Sequence, residues 1–258
     1  MNPTISLIDV HVSLGNTQVL SGINLTIGKG EFWGIAGPNG AGKSTMIRLM
    51  VGLLRPAAGS VVVLGRPLQQ WRLTELRKRV GYLPQNLFFD EGIPLTARDV
   101  ILIGPTGRRG LCRRLTQVDH RAADCCAAEL GIDGLLDHPI GSLSGGERQR
   151  VQLARLLAQD AEVLILDEPV NNLDPKAASE FYDLVGHLHH TRGLTVLAVT
   201  HEIQALPRAC DRLAFLKGGH LLASGTKEEL LKPAMLSEVY GFPMRVDTGN
   251  APHRVWGP

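Results

Sequence analysis

The feature that most constrains this chain is a nine-residue string, Gly37-Pro38-Asn39-Gly40-Ala41-Gly42-Lys43-Ser44-Thr45. An apolar run, Phe32 to Ala36, precedes it, and Met46, Leu49, Met50 and Leu53 follow at i, i+3, i+4 and i+7. The run predicts a strand and the periodicity predicts a helix with one apolar face. Strand, glycine turn and helix with the spacing G-x-x-x-x-G-K-[ST] form the phosphate-binding loop called Walker A. The glycines let successive backbone N–H groups turn into one concave nest, and the helix N-terminus adds positive potential there. Lys43 is expected to reach the β- and γ-phosphates of a nucleotide, and the Ser44 hydroxyl to ligate Mg²⁺.

A second string, Val163-Leu164-Ile165-Leu166-Asp167-Glu168, is an apolar strand ending in two carboxylates. Alone it reads as a buried strand running into a solvated turn. Beside a phosphate-binding loop it reads as Walker B, with Asp167 holding Mg²⁺ through its water shell. Glu168, one residue on, is placed to orient or deprotonate the attacking water.

The rest of the chain alternates strands and helices around these strings. Strands are expected at Ile5 to Val12, Gln18 to Ile27, Gly59 to Leu64 and Val80 to Leu83, with a turn at Gly15-Asn16 and a helix over Trp71 to Arg79. From Pro84 to about Asp160 no β-rich run appears. Helical patterns surround Ala97 to Ile103, Val118 to Leu130 and Gly145 to Gln159, which predicts an inserted helical lobe. Strands at Leu194 to Val199, Arg212 to Leu216 and His220 to Ala223 then alternate with helices at Ala177 to Leu188 and Glu202 to Ala209. Short helices at Lys227 to Leu231 and Ala234 to Val239 close the pattern. Such alternation predicts a mainly parallel sheet with helices packed on it.

With 258 residues, the chain is expected to form one large domain or one domain with an inserted lobe. Its 27 basic and 25 acidic residues leave a net charge of +2, which predicts no nucleic-acid partner. No stretch reads as a membrane span or a signal peptide. Cys112, Cys125, Cys126 and Cys210 are read as reduced thiols.

The third string decides the family. Leu143-Ser144-Gly145-Gly146-Glu147-Arg148-Gln149-Arg150 contains an S-x-x-E capping box opening a helix, with two glycines exposing N–H groups at its start. It closely resembles the signature motif of ATP-binding cassette (ABC) proteins. The resemblance extends to Gln85 in Tyr82-Leu83-Pro84-Gln85, which matches the Q-loop, a sensor of Mg²⁺ and of the membrane partner. Asp174 in Asn171-Asn172-Leu173-Asp174 matches the D-loop, and His201 in Val199-Thr200-His201-Glu202 matches the switch histidine that contacts the γ-phosphate.

This resemblance implies a P-loop NTPase cassette: a RecA-like, mainly parallel core with an antiparallel β subdomain and an inserted α-helical subdomain. The expected boundaries are one ABC domain over residues 1–240, with the core at 1–84 and 161–225, the lobe at about 85–160, and a tail at 241–258. It also implies ATP and Mg²⁺ as ligands and a head-to-tail dimer sandwiching two ATPs. Ser144, Gly145 and Gly146 of one copy would face the phosphate loop of the other. Separate transmembrane permease subunits, and indirectly a substrate-binding protein, would complete an importer, with this chain peripheral on the cytoplasmic face of the inner membrane. The region around Val80 to Ile103 and the tail Leu236 to Gly241 resemble ATPases of zinc, manganese and iron-chelate importers. A soluble ABC ATPase serving iron–sulfur cluster assembly, or a transporter of another cargo, stands as the alternative.

One departure concerns adenine. The family usually carries an aromatic side chain just before the glycine of the first hairpin, and here Leu14 occupies that place. Leucine can cover one adenine face but has no π system. His11 is weighed as a substitute and set aside. Two other clusters, His187, His189 and His190 near a helix end and Arg108, Arg109, Arg113 and Arg114 in the lobe, are read as solvated faces.

Overall fold

The computed structural model describes residues 3–85, 94–110, 113–201, 203, 206–247 and 254–256. The strands are β1 (Ile5–Leu14), β2 (Thr17–Ile27), β3 (Phe32–Ala36), β4 (Ala58–Val63), β5 (Arg66–Pro67), β6 (Val80–Leu83), β7 (Val163–Asp167), β8 (Thr195–Thr200), β9 (Arg212–Lys217), β10 (His220–Thr226), β11 (Arg245–Asp247) and β12 (Arg254–Trp256). The α-helices are α1 (Lys43–Met50), α2 (Leu73–Arg79), α3 (Ala97–Arg109), α4 (Gln117–Glu129), α5 (Gly145–Ala158), α6 (Pro175–Arg192), α7 (Lys227–Leu230) and α8 (Pro233–Tyr240).

The central sheet runs β10-β9-β3-β8-β7-β6. From β9 to β6 every pairing is parallel, and β10 closes one edge antiparallel. Both faces are covered, which is why these strands read as unbroken apolar runs rather than alternating ones. Alternation survives in where the side chains go. Phe32, Leu164 and Leu166 point into one core with α3–α6, while Trp33, Ile35, Val163 and Ile165 point into the other. That second core lies between the parallel sheet, α1 and an antiparallel sheet ordered β2-β1-β4-β5.

α3 and α5 approach very closely. A Cβ placed on Gly104 would lie 2.1 Å from the carbonyl oxygen of Arg155, so only glycine allows this crossing. Side-chain carboxylates close the starts of all three lobe helices. Asp99 accepts from Thr96 N at 2.9 Å, Asp119 from Thr116 N at 2.7 Å and Glu147 from Ser144 N at 2.8 Å.

Several sequence expectations change here. Leu53 is not on the first helix: α1 ends at Met50, Gly52 turns the chain at φ 70°, and Leu53 is left 50% exposed. The expected helix over Trp71 to Arg79 begins at Leu73, and Trp71 Nε1 donates to the carbonyl of Val63 instead. α3 continues to Arg109 through Pro105, well past Ile103. Of the expected helix Glu202 to Ala209, Glu202, Gln204 and Ala205 lie outside the described residues, and 206–209 form bends and turns. His189 is not on a solvated face. It is 9% exposed, its Nδ1 lies 2.8 Å from the carbonyl of Leu194, and its ring meets the edge of Phe32. His187 and His190 are exposed, and no metal-binding cluster occurs among the described residues.

The arginine cluster also divides. Arg113 and Arg114 are exposed, but Arg109 Nε lies 2.6 Å from Oδ2 of Asp119, whose side chain is 0% exposed, and Arg108 pairs with the same carboxylate at 3.7 Å. Arg109 and the Thr116 bonds hold the Asp119 carboxyl far below the usual range, against the cost of burial. Cys125, Cys126 and Cys210 are free thiols, and Cys112 lies outside the described residues.

Candidate functional site

Three neighbouring parallel strands, β3, β8 and β7, bring their C-terminal ends together, and the chemistry-bearing residues follow directly from those ends. The phosphate-loop string leaves β3. At Gly37 the chain passes so close to β9 that a Cβ would meet the carbonyl oxygen of Leu216 at 2.1 Å, so any other residue would push the loop out. The loop then leads into α1, whose first residue is Lys43. Residues 39–45, Val19, Gln85, Glu168, Asn171 and His201 line a cleft of about 540 Å³.

Lys43 is 6% exposed, and its Nζ donates to the carbonyls of Gly37 at 2.8 Å and Pro38 at 3.0 Å. Burial lowers its pKa, with Glu168 and Asp167 opposing that shift. Asp167 ends β7 and is buried. Burial and the adjacent Glu168 raise its pKa. Tyr82 donates its hydroxyl to Oδ2 at 3.4 Å, while Oδ1 has no hydrogen-bond partner among the described residues. A buried, unpartnered carboxylate oxygen is suited to a cation or its water shell.

Glu168 holds a left-handed backbone, φ 49°, with its N–H bonded to the carbonyl of Val199 at 2.9 Å. Strain of this kind in a non-glycine residue persists only where surrounding contacts impose it. Three side chains converge on its carboxylate. Gln85 Nε2 and Asn171 Nδ2 donate to Oε2, and His201 Nδ1 lies 3.3 Å from Oε1. Gln85, Glu168 and His201, far apart in sequence, are therefore in one contact group.

Other expected site residues lie elsewhere. Ser144, Gly145 and Gly146 begin α5 and do not line the cleft; Ser144 and Gly145 are exposed. A Cβ on Gly145 would touch Leu173 at 3.1 Å, so the signature turn packs on the D-loop segment. Asp174 caps α6, accepting from Lys176 N and Ala177 N at 3.0 Å each, and Pro175 follows at the first helical position. Leu14 ends β1 and is 45% exposed, so it is not part of the hairpin's own core. His11 is occupied: its ring nitrogens lie 3.2 Å from Asp9 Oδ1 and 3.2 Å from Gln18 Nε2.

The profile of the family described as "ABC transporter" matches residues 20–171. The chain belongs to the ABC transporter family. It is the ATP-hydrolysing cassette of that family, in fold and in sequence. The zinc import ATP-binding protein ZnuC of Halorhodospira halophila is 33% identical over 252 residues, covering 98% of this chain and 88% of that relative. ZnuC of Pseudomonas fluorescens is 35% identical over 240 residues, covering 93% and 83%. Among solved structures, cbiO1 of Clostridium perfringens, part of the ABC transporter complex cbiONQ, superposes with a TM-score of 0.80 at 28% identity, covering 92% of this chain and 94% of that one. A dimeric bacterial ABC transporter cassette gives 0.73 at 31% identity, covering 86% and 98%.

The sequence reading assigned no role to three groups at this cassette's site: Val19 on the cleft wall, the Asn171 amide on Glu168, and the Tyr82 hydroxyl on Asp167. The parallel neighbours β6 and β7 carry the signal for Tyr82, since register sets Tyr82 opposite Ile165, two residues before Asp167.

Proposed function

We propose that this cassette powers import of a metal ion or metal chelate through separate permease subunits, peripherally attached at the cytoplasmic face of a membrane. The observation that carries the reading is the 33–35% identity to zinc import ATP-binding proteins over 98% and 93% of the chain. No helix among the described residues is long and apolar enough to cross a membrane, so the path for cargo belongs to other subunits. A substrate-binding protein would deliver the cargo to them.

In this reading the loop of residues 37–45 holds the phosphates of ATP, through Lys43 and the backbone N–H groups of its residues other than Pro38. Ser44, Asp167 and Gln85 are the side chains that would hold Mg²⁺, which supplies charge neutralisation at the β- and γ-phosphates. Glu168 takes a proton from the attacking water, or orients it. Gln85 and Asn171, both donating to Oε2, fix the carboxylate's direction, and His201 contacts the γ-phosphate. Ser144, Gly145, Gly146 and Asp174 serve the second site of a head-to-tail dimer, a reading supported by the exposure of Ser144, Gly145 and Asp174 away from the cleft and by the dimeric relative.

Cells lacking this chain provide the test. Complementation with wild type should restore energy-dependent uptake of labelled zinc, manganese or an iron chelate, and a Glu168→Gln chain should not. Unchanged uptake of all three in the absence of the chain would refute a metal cargo.

Leu14 is read as the residue covering adenine. Leu14→Tyr should then tighten ATP and ADP binding alike by roughly two- to tenfold, because an aromatic pair adds ~0.5–1.5 kcal/mol beyond burial. Maximal turnover should hold, since stacking acts equally on ground and transition states. Titration with ATP, ADP and inorganic triphosphate checks this: triphosphate must gain nothing.

A further inference from the structure

Tyr240 is the last residue of α8, and its hydroxyl donates to the backbone carbonyl of His201 at 3.3 Å. We propose that Tyr240 is a positioning residue for hydrolysis: through this bond the C-terminal helix holds His201 in place against Glu168. The inference rests on the proposed roles of Glu168 and His201.

His201 follows the last strand-paired residue of β8, Thr200, whose partner in β3 is Ala36. His201 lies one residue beyond that pairing. A peptide unit is planar, so a carbonyl held in place also fixes the position of its own Cα, the point from which the imidazole projects, and narrows the volume the ring can sweep. That imidazole lies 3.3 Å from Oε1 of Glu168. A misplacement of an ångström at such a contact is enough to slow a reaction.

The helix that supplies the hydroxyl is firmly seated. Pro233 opens α8, Gly241 closes it at φ 80°, and Leu236 and Val239 are fully buried against the main core. Lys217 Nζ donates to the carbonyl of Glu238, and Met244 N donates to Ser237 Oγ at 2.9 Å. The Tyr240 ring packs on the same core, a task phenylalanine would do equally well. The hydroxyl is the group that bonds to His201. Burial raises its pKa well above the usual phenol value, so it remains a donor at any working pH.

The full chain with Tyr240→Phe keeps the ring and loses the bond. Its melting temperature should stay at the wild-type value and its KM for ATP within twofold, while kcat falls about fivefold, the worth of one neutral hydrogen bond. The decisive arm repeats the substitution in a His201→Ala background, read by single-turnover release of labelled phosphate. There the additional loss should vanish, because the residue being held is gone. Wild-type kcat for Tyr240→Phe would overturn the inference. So would an equal loss in both backgrounds, which would mark a general structural role. If His201→Ala itself turns over normally, the proposed role of His201 fails and the inference fails with it. If His201→Ala is impaired and Tyr240→Phe is not, only the role of Tyr240 is refuted.

Discussion

A Glu168→Gln chain should hold ATP through an assay in which wild type consumes it, with turnover lowered by about 10²–10⁴, the usual contribution of a positioned general base. The amide keeps the shape of the carboxylate and loses its basicity. The left-handed backbone at φ 49° is set by the bond from Glu168 N to Val199, which the substitution leaves intact. Of the side-chain contacts, one oxygen survives to accept, so Gln85 or Asn171 can still anchor the residue. ATP binding measured by filtration and phosphate release measured on the same preparation separate the two effects. Near-normal phosphate release would remove Glu168 from the hydrolytic role.

Lys43→Ala acts one step earlier. The Nζ is the buried cation of the phosphate loop, and a hydrogen bond to a charged group contributes ~1.5–3 kcal/mol, so ATP affinity should fall by roughly 10- to 150-fold. The same nitrogen ties the carbonyls of Gly37 and Pro38, so the loop should also loosen. The loss should follow the phosphates: ATP and ADP weaken, and adenosine binds as before. Unchanged ATP affinity in a titration would count against the phosphate-loop reading. Stability should change little, because removing Lys43 also removes the burial of a charge.

The parts of this chain that could be read from sequence are those whose physics is local. The string from Gly37 to Thr45 sets its own turn and helix start, and Ser144 and Glu147 are three residues apart in the cap they form. The apolar runs at β3, β7 and β8 announce strands buried on both faces. What stayed hidden depends on partners distant in sequence. Nothing near Arg109 indicates that it will meet Asp119 across the α3–α4 connection. His189 looks solvated beside exposed His187 and His190, yet the helix phase turns it toward Phe32, far away in sequence. Leu53 continued the helical spacing, but the turn at Gly52 ended it. The contact of Tyr240 with His201 spans 39 residues and depends on where α8 docks.

The carboxylate caps give the helices of the lobe a sensitivity to acid that α1 lacks. Asp99, Asp119 and Glu147 each have a lowered pKa, caused first by side-chain bonding to Thr96, Arg109 and Ser144 respectively. A carboxylate lowered on folding stabilises the fold at pH above its unfolded value, about 4, and that stabilisation drains away as pH falls through the folded value. Around these groups stand Arg98 at Asp99, Arg108 and Arg109 at Asp119, and His138 and Arg150 at Glu147. The helix bearing Lys43, by contrast, starts on Gly42 with no side-chain cap and no acidic residue in its first turn. Acidification should therefore fray α3, α4 and α5 from their N-terminal ends while α1 keeps its protection, a difference that amide exchange followed from neutral pH downward would resolve helix by helix. The cassette carries, in effect, an acid fuse at the starts of the lobe helices and none at the start of α1.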